Sequence, residues 1–382
     1  MDQVFPTRIT ALKLTSFRNY KSLNLDLQPK SVVLAGPNGS GKTNLLEAVS
    51  YLSPGRGLRR AQYVDVGLTP EKGGDGLWAV ATSLETENGD TEIGTGLSML
   101  DGVPDKSRRI RIDRQQVKSG DALTEYVRVL WLTPAMDGLF TGPAGDRRRF
   151  LDRLVLALDP SHGRRVNDFD KAVRNRNKVL EEAFDNSSWL DAAETQIAEL
   201  GTAITAARHE ILALLSAEVE KSSAMTEHFP QALLELEGTV DDLVRTHLAT
   251  DAEDAYRSLL RQSRRRDRAA GRTLEGPHRS DLLVRHAEKD MAARLCSTGE
   301  QKALLIGIVL AHAKLVGTIA SMAPIILLDE VAAHLDQFRR AALFDVLEAL
   351  NCQAFMTGTD RDLFADLGDR AQFLHVENGM IS

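Results

Sequence analysis

Gly36-Pro37-Asn38-Gly39-Ser40-Gly41-Lys42-Thr43 reads G-x-x-x-x-G-K-T, and the rest of the chain is best understood as arranged around it. Ser31-Val32-Val33-Leu34-Ala35 precedes it as a short, apolar, β-branched run, and Asn44-Leu45-Leu46-Glu47-Ala48-Val49 follows as a helix. A buried strand, a glycine loop and a helix in that order form a phosphate cradle. Backbone N–H groups of the loop and helix N-terminus would face phosphate oxygens, Lys42 would reach the terminal phosphates, and the Thr43 hydroxyl would hold Mg²⁺. Gly39 and Gly41 suit a loop that needs positive φ and close approach to a ligand. The motif by itself does not separate a kinase, a GTPase, a transporter ATPase and a DNA-repair ATPase.

The chain has 382 residues, more than one ordinary core supports, so two domains or a domain with an insertion are expected. A hydrophobic fraction of 43% and a charged fraction of 26% are those of a globular protein with a substantial core. The two cysteines, Cys296 and Cys352, have no metal-ligand spacing and suggest neither a disulfide framework nor zinc, which fits a reducing cytoplasm. No secretory h-region and no uncharged apolar run of about 18 residues is present, so neither export nor a membrane span is expected. Net charge is −7, yet Lys106 to Lys178 holds 17 Lys/Arg against 9 Asp/Glu, and Arg257 to Arg272 holds 7 against 1. Such segregation suggests a basic surface for an extended anion; the alternative is a set of solvated helix faces.

Along the chain, Ile9 to Leu14 and Ser22 to Leu27 alternate at period two, as an antiparallel pair does. The intervening Arg18 and Asn19 are either a simple turn or a contribution near the nucleotide, and both are kept as nucleotide-site candidates. Further strands around Trp78 to Leu84, Glu92 to Leu100 and Arg108 to Val117 read as a small meander. Between them and the glycine loop, Arg56, Arg59 and Arg60 sit in a turn-rich stretch that could reach phosphate. Gly145-Asp146-Arg147-Arg148-Arg149 opens a helix with three arginines, unfavourable against the helix dipole unless something anionic offsets them. Leu151 to Ala270 looks helical throughout, and Leu190, Ala193, Ile197, Leu200, Ile204, Ala207, Ile211 and Leu214 form a heptad seam, read as core of a short arm.

Pro324-Ile325-Ile326-Leu327-Leu328-Asp329-Glu330 is a strand that delivers two carboxylates where a parallel sheet binds nucleotide, and Cys352 to Thr357 is a further strand; both are expected beside the first. Asp329 would hold Mg²⁺ and Glu330 would act as general base. Upstream, Ser297-Thr298-Gly299-Glu300-Gln301 opens a helix. Alone it could be an ordinary capping box. With the other two motifs it resembles the signature loop of ABC-type ATPases, in which Ser297, Gly299 and Gln301 of one copy would complete the γ-phosphate site of another.

The whole chain resembles the RecF family of SMC-like ABC ATPases. The likeness rests on Phe17-Arg18-Asn19-Tyr20, on Gly39 to Ala48, on Gly276-Pro277-His278-Arg279-Ser280-Asp281, on Leu328 to Asp336 and on Thr357-Gly358-Thr359, where ABC enzymes carry a sensor. Three positions depart from it: Gly57-Leu58 lacks an aromatic, Ala333-His334 stands where Ser-Glu is common, and Ser280 replaces an acid. The resemblance implies an α/β ABC-type ATPase head, with a mixed central sheet plus an antiparallel sheet, in residues 1–145 and 272–382. An all-helical lobe with a short coiled-coil-like arm would occupy 146–271. It implies a cytoplasmic, weakly DNA-stimulated ATPase that binds ATP and Mg²⁺ and forms an ATP-dependent homodimer. With RecO and RecR type mediators it would promote recombinase loading at gapped or junction DNA and support the SOS response. Arg147, Arg148, Arg149, Arg264, Arg265 and Arg266 are the candidate DNA contacts. The competing expectation is the nucleotide-binding subunit of a membrane transporter; the basic segregation, the long insertion and the lack of a histidine following Thr357 at the place where transporters carry one speak against it.

Overall fold

Val32, Val33 and Leu34 are inaccessible to solvent, as are Ile325, Ile326 and Leu327 and, in a third run, Ala354 and Phe355. Strands apolar on both faces must be covered on both sides, which favours a parallel sheet. The computed structural model describes residues 4–69, 71, 73–100, 102–182, 187–225 and 228–382, and it brings the three runs together. Val129–Leu132, Ile325–Leu328, Ala354–Gly358, Ser31–Ala35 and Ala371–Glu377 lie parallel in that order, with Met380–Ile381 antiparallel at the edge. The carboxylate strand is therefore not beside the glycine-loop strand. Ala354–Gly358 lies between them, with Leu328 opposite Met356 and Thr357 opposite Leu34.

A second, antiparallel sheet runs in the order Gln115–Val117, Arg109–Ile112, Gly89–Leu97, Trp78–Thr86, Arg8–Phe17, Tyr20–Asp26. Alternation decides its two faces: Leu12, Leu14, Val80 and Ile93 are buried, while Lys13, Thr15 and Ala81 are exposed. The buried face joins one core with Val32, Leu34, Leu327 and Phe355 of the parallel sheet. Leu45, Leu46, Ala48 and Val49 of the helix Lys42–Ser50 belong to the same core, so burial anchors the helix that follows the glycine loop.

Met1–Asp137, Ser222–Phe229 and Leu305–Ser382 form one compact unit, and Gly138–Lys221 with Pro230–Leu304 a second. The second is not purely helical, and it reaches beyond the boundary expected at 272. Ala232–Glu237 is a strand inside the stretch expected to be all helix, paired antiparallel with Asp281–His286, which extends the unit past that point. Its Leu234-Glu235-Leu236-Glu237 alternation is short and is flanked by helical sequence. The heptad residues lie on one helix, Ser187–Met225, of 39 residues. Ile197, Ile204 and Ile211 are buried as expected, but Leu214 is exposed while Leu212 and Leu215 are buried. An ordinary α-helix repeats every 3.6 residues, so a strict 3.5-residue seam drifts off the buried face unless a partner supercoils it. The helix Thr298–Ala320 has the length and apolarity of a membrane span, yet Ala303, Leu304, Ile306, Val309 and Val316 are buried in this structure.

The second unit is held partly by a charge network with no access to water. Arg176 donates from Nε to Glu194 (3.0 Å), from Nη1 to Asp267 (2.7 Å) and Thr273 (2.9 Å), and from Nη2 to the Leu260 carbonyl (2.7 Å). Arg176, Glu194 and Asp267 are all fully buried. Removing one partner strands the others: Arg176→Met is expected to destabilise the protein by about 3–5 kcal/mol. An unchanged denaturant midpoint for that variant would contradict this account.

Candidate active site

The glycine loop is shaped by two close approaches. A Cβ on Gly36 would lie 2.1 Å from the Val376 carbonyl oxygen, and one on Gly41 would lie 2.6 Å from the Asn19 amide nitrogen, with Gly41 also at φ 118°. Lys42 folds across the loop, donating to the carbonyls of Gly36 (2.7 Å) and Pro37 (2.9 Å). Burial holds its ammonium below the usual lysine range, and the nearby carboxylates of Glu330 and Asp329 act in the opposite direction. The Ser40 hydroxyl is buried and has no hydrogen-bond partner. An orphaned donor beside a buried ammonium and a glycine cradle is what a phosphate group would satisfy, so the residues present fit a nucleotide.

The two acids arrive at the end of Ile325–Leu328, and the intervening strand supplies the group that holds them. The Asp329 carboxylate accepts one hydrogen bond from the Thr43 hydroxyl (2.9 Å) and another from the Thr357 hydroxyl (2.8 Å), both at Oδ1. Thr357 in turn accepts from the Glu330 backbone N–H at 2.9 Å. Glu330 has φ 54°, an unfavourable left-handed conformation for a side chain of its size that the Thr357 hydrogen bond helps to hold. Thr43, 286 residues before Asp329 in sequence, thus shares one hydrogen-bonded junction with Asp329, Glu330 and Thr357.

Arg18 and Asn19, expected near the nucleotide, are held by protein partners on and beside the glycine loop. Arg18 donates to both oxygens of Glu47, at 2.8 and 2.6 Å, and to the Asp65 carbonyl at 2.6 Å. Burial alone would lower its guanidinium, but Glu47 raises it above the usual range. Glu47 sits on the helix after the loop with its side chain fully buried, so the pair welds that helix to the first strand. Asn19 donates to the Ser40 carbonyl (3.2 Å) and accepts from Asn44 (2.6 Å), while the Tyr20 hydroxyl donates to the Gly41 carbonyl (3.1 Å). Arg59, expected to reach phosphate, instead donates to Asn44 (2.6 Å) and Glu47 (2.9 Å). Asn19, Tyr20, Asn44, Glu47 and Arg59 are positioning residues for the loop. A carboxylate on the apolar face of a helix was the one available signal, because such a group is buried only with a cation.

Ser297, Gly299 and Gln301 belong to the second unit. Ser297 and Glu300 make a complete capping box: the Ser297 N–H and hydroxyl both donate to Glu300 Oε2, at 3.0 and 2.9 Å, and the Glu300 N–H returns to Ser297 Oγ at 3.4 Å. Lys289 beside Glu300, together with those Ser297 donors, holds its carboxyl down to about 2. The Gln301 amide donates to the Cys296 carbonyl at 2.9 Å. Gly299 has no atom within 4 Å of where a Cβ would stand, so packing within the chain does not demand a glycine there.

The arginine clusters are mostly spent on internal structure. Arg147 forms a bidentate pair with Asp281, both contacts at 2.7 Å, and also reaches the carbonyls of Leu139 and Gly142. The anion that offsets this helix start is therefore Asp281, and Arg147 needs no outside ligand. Arg149 pairs with Asp146, Arg264 with Glu194 and Asp191, and Arg266 with Glu275. Arg148 donates to the Ser280 carbonyl at 2.7 Å, and Arg265 is exposed without a partner among the described residues. Ser280, which stands where the family has an acid, donates its hydroxyl to buried Asp241.

The junction at Thr357 has a measurable consequence. Thr357→Val keeps the shape but removes the donor to Asp329 and the acceptor for Glu330. Nucleotide turnover is expected to fall about 10- to 100-fold, as when outer-shell partners of a site are lost, with nucleotide affinity changed much less. Steady-state hydrolysis alongside equilibrium binding of labelled nucleotide checks this; unaltered turnover would refute it.

Residues 8–382 match the family model of the RecF/RecN/SMC N terminal domain. The chain is 57% identical over 375 residues to the DNA replication and repair protein RecF of Mesorhizobium japonicum, covering 98% of this chain and 97% of that one. It is 58% identical over 376 residues to the RecF of Allorhizobium ampelinum, covering 98% and 99%. Among solved structures it superposes on the recombination mediator protein RecF-ATP of the RecFOR pathway with TM-score 0.84 at 20% identity, covering 98% and 97%. It also superposes on a Pyrococcus furiosus Smc head domain with TM-score 0.54 at 15% identity, covering 98% and 95%. The two structural matches carry the ABC ATPase head fold, and the two close relatives together with the family model settle the kinship: this chain belongs to the RecF family.

Proposed function

We propose that this protein is an ATP-dependent, DNA-binding switch of recombinational repair and replication restart, acting in the cytoplasm. The observation that carries the reading is the junction that unites Thr43 of the phosphate loop with Asp329, Glu330 and Thr357. In ABC-type chemistry these positions hold the nucleotide, the metal and the attacking water. Lys42 would exchange its two loop carbonyls for β- and γ-phosphate oxygens, and the Ser40 hydroxyl would gain its missing acceptor. Thr43 and Asp329 are the residues that would hold Mg²⁺, which, when bound, neutralises charge on the phosphates. Glu330 accepts the proton of the attacking water at its carboxylate.

Ser297 and Gly299 lie outside the unit that carries this junction. A second copy offering them to the γ-phosphate makes hydrolysis depend on dimerisation, so a weak, DNA-stimulated turnover would serve to reset a clamp. Family membership supports work with RecO and RecR type mediators in loading recombinase at gapped or junction DNA, and a contribution to the SOS response.

Sedimentation with and without ATP tests the switch. Wild type is expected to sediment as a dimer only with ATP. Glu330→Gln should lower hydrolysis about 10²- to 10⁴-fold, the usual weight of a general base, while the ATP-bound dimer accumulates. Ser297→Ala should abolish the dimer without preventing nucleotide binding. A monomer indifferent to ATP in all three proteins would sink the proposal.

A further inference from the structure

Arg148 and Arg279 differ from the arginines around them. Arg147 is neutralised by Asp281, and Arg208 by Asp152 through contacts at 2.8 and 2.9 Å. Arg148 donates only to a carbonyl, that of Ser280, and Arg279 is exposed with no side-chain partner among the described residues. Both sit close to the same half-buried histidine. Burial holds His278 below its usual range, and the charges of Arg279 and Arg148 push it further the same way; its Nδ1 is buried with no hydrogen-bond partner. Arg148 is itself held below the usual guanidinium range, chiefly by burial and by the charge of Arg208, with Arg279 adding to the effect and Asp281 and Asp152 opposing it.

The contact with the Ser280 carbonyl at 2.7 Å puts the Arg148 guanidinium beside the chain at Arg279. A Cβ on Gly145 would lie 3.7 Å from Arg148 Nη2 and 3.3 Å from Arg149 Nη1, so both guanidinium groups fold back over the first turn of the helix Ala144–Leu156. Pro143 precedes that helix, and no side chain caps it. Arg149 has Asp146 to answer it; among the described residues neither Arg148 nor Arg279 forms an ion pair of its own, and the carboxylates that act on Arg148, Asp281 and Asp152, are already bound by Arg147 and Arg208. Like charges held together in a folded protein cost free energy unless an anion offsets them. Guanidinium forks match the geometry of phosphate oxygens.

We infer that Arg148 and Arg279 bind a phosphate of the DNA backbone, making this corner of the second unit a sequence-independent DNA contact. The inference rests on the DNA-binding reading above and moves the contact away from Arg147, Arg264 and Arg266, whose charges are already answered. Arg279 lies in Gly276-Pro277-His278-Arg279-Ser280-Asp281, so one segment supplies both the carboxylate that fixes Arg147 and the cation that meets phosphate. Neither arginine reads base identity.

Fluorescence anisotropy of a labelled gapped duplex, measured with the full chain and ATP over a range of salt, tests it. Wild type, Arg279→Ala, Arg148→Ala, the double alanine variant and the double lysine variant are compared, with Arg245→Ala, whose partner is Asp242, as a surface-charge control. Each alanine is expected to lower the slope of log affinity against log salt by about one. The double lysine variant should keep most of the slope, and Arg245→Ala should leave it unchanged. Arg279 is exposed and has no side-chain hydrogen bond or ion pair among the described residues, so its alanine variant reads binding even if the Arg148 variant unfolds. Wild type that binds DNA alongside a folded Arg279→Ala variant with full slope and affinity would overturn this site while leaving DNA binding intact. Wild type that does not bind DNA at all would overturn both. Inorganic phosphate protected by these arginines without any change in DNA slope would identify an anion site unconnected with DNA, and would also overturn the inference.

Discussion

The structure depends on one carboxylate with two hydroxyl donors. Asp329 accepts from Thr43 and from Thr357, and the second hydroxyl also takes the backbone N–H of Glu330. Because Asp329 is buried, each donor is worth more than it would be in water, and each would be costly to lose. The strand order follows from this need. A strand must lie between the one that ends in the glycine loop and the one that ends in the acids, and Ala354–Gly358 occupies that place with Thr357 at its end. Glu330 is held in a backbone conformation that residues of its size avoid, which fixes where its carboxylate can go.

Within each unit, arginine–carboxylate pairs add directional ties to the apolar packing. Arg18 and Arg59 converge on Glu47 and tie the helix after the loop to its surroundings. Arg176 ties together Glu194 and Asp267 in the second unit, and Arg147 joins Asp281 to a helix start. Side chains with several directional donors fix orientation as well as proximity, which suits elements that must present ligands at set angles. The same use explains why uneven charge along the sequence translates only partly into a basic surface. Arg147, Arg176, Arg261 and Arg264 face carboxylates that are remote in sequence, and Arg149, Arg165 and Arg257 face neighbours along the chain.

Gly276 to Asp281 illustrates how one short segment can serve several neighbours. The Pro277 carbonyl receives Arg208 at 2.7 Å, the Ser280 carbonyl receives Arg148, and Asp281 receives Arg147. Its Ser280 hydroxyl also takes the place of an acid without leaving a gap, because Asp241 on a nearby helix provides the carboxylate.

The sequence alone carried the parts of the protein that depend on local chemistry. G-x-x-x-x-G-K-T, the apolar run ending in Asp329-Glu330 and the period-two alternation from Ile9 to Leu27 each state their element, because glycine freedom, two-sided burial and strand pleat act over a few residues. The order of the site's motifs also sufficed for the family. Tertiary structure decided what depends on pairing between distant residues. It placed Thr357 between the two catalytic strands, paired Arg18 with Glu47 and Arg147 with Asp281, and turned Gln301 toward the Cys296 carbonyl. It also made a strand of Ala232–Glu237, whose partner lies beyond the helical stretch, and it ended the heptad seam one position early. A charge in a sequence has no known partner until the chain folds, so the use of each arginine could be read only from the fold.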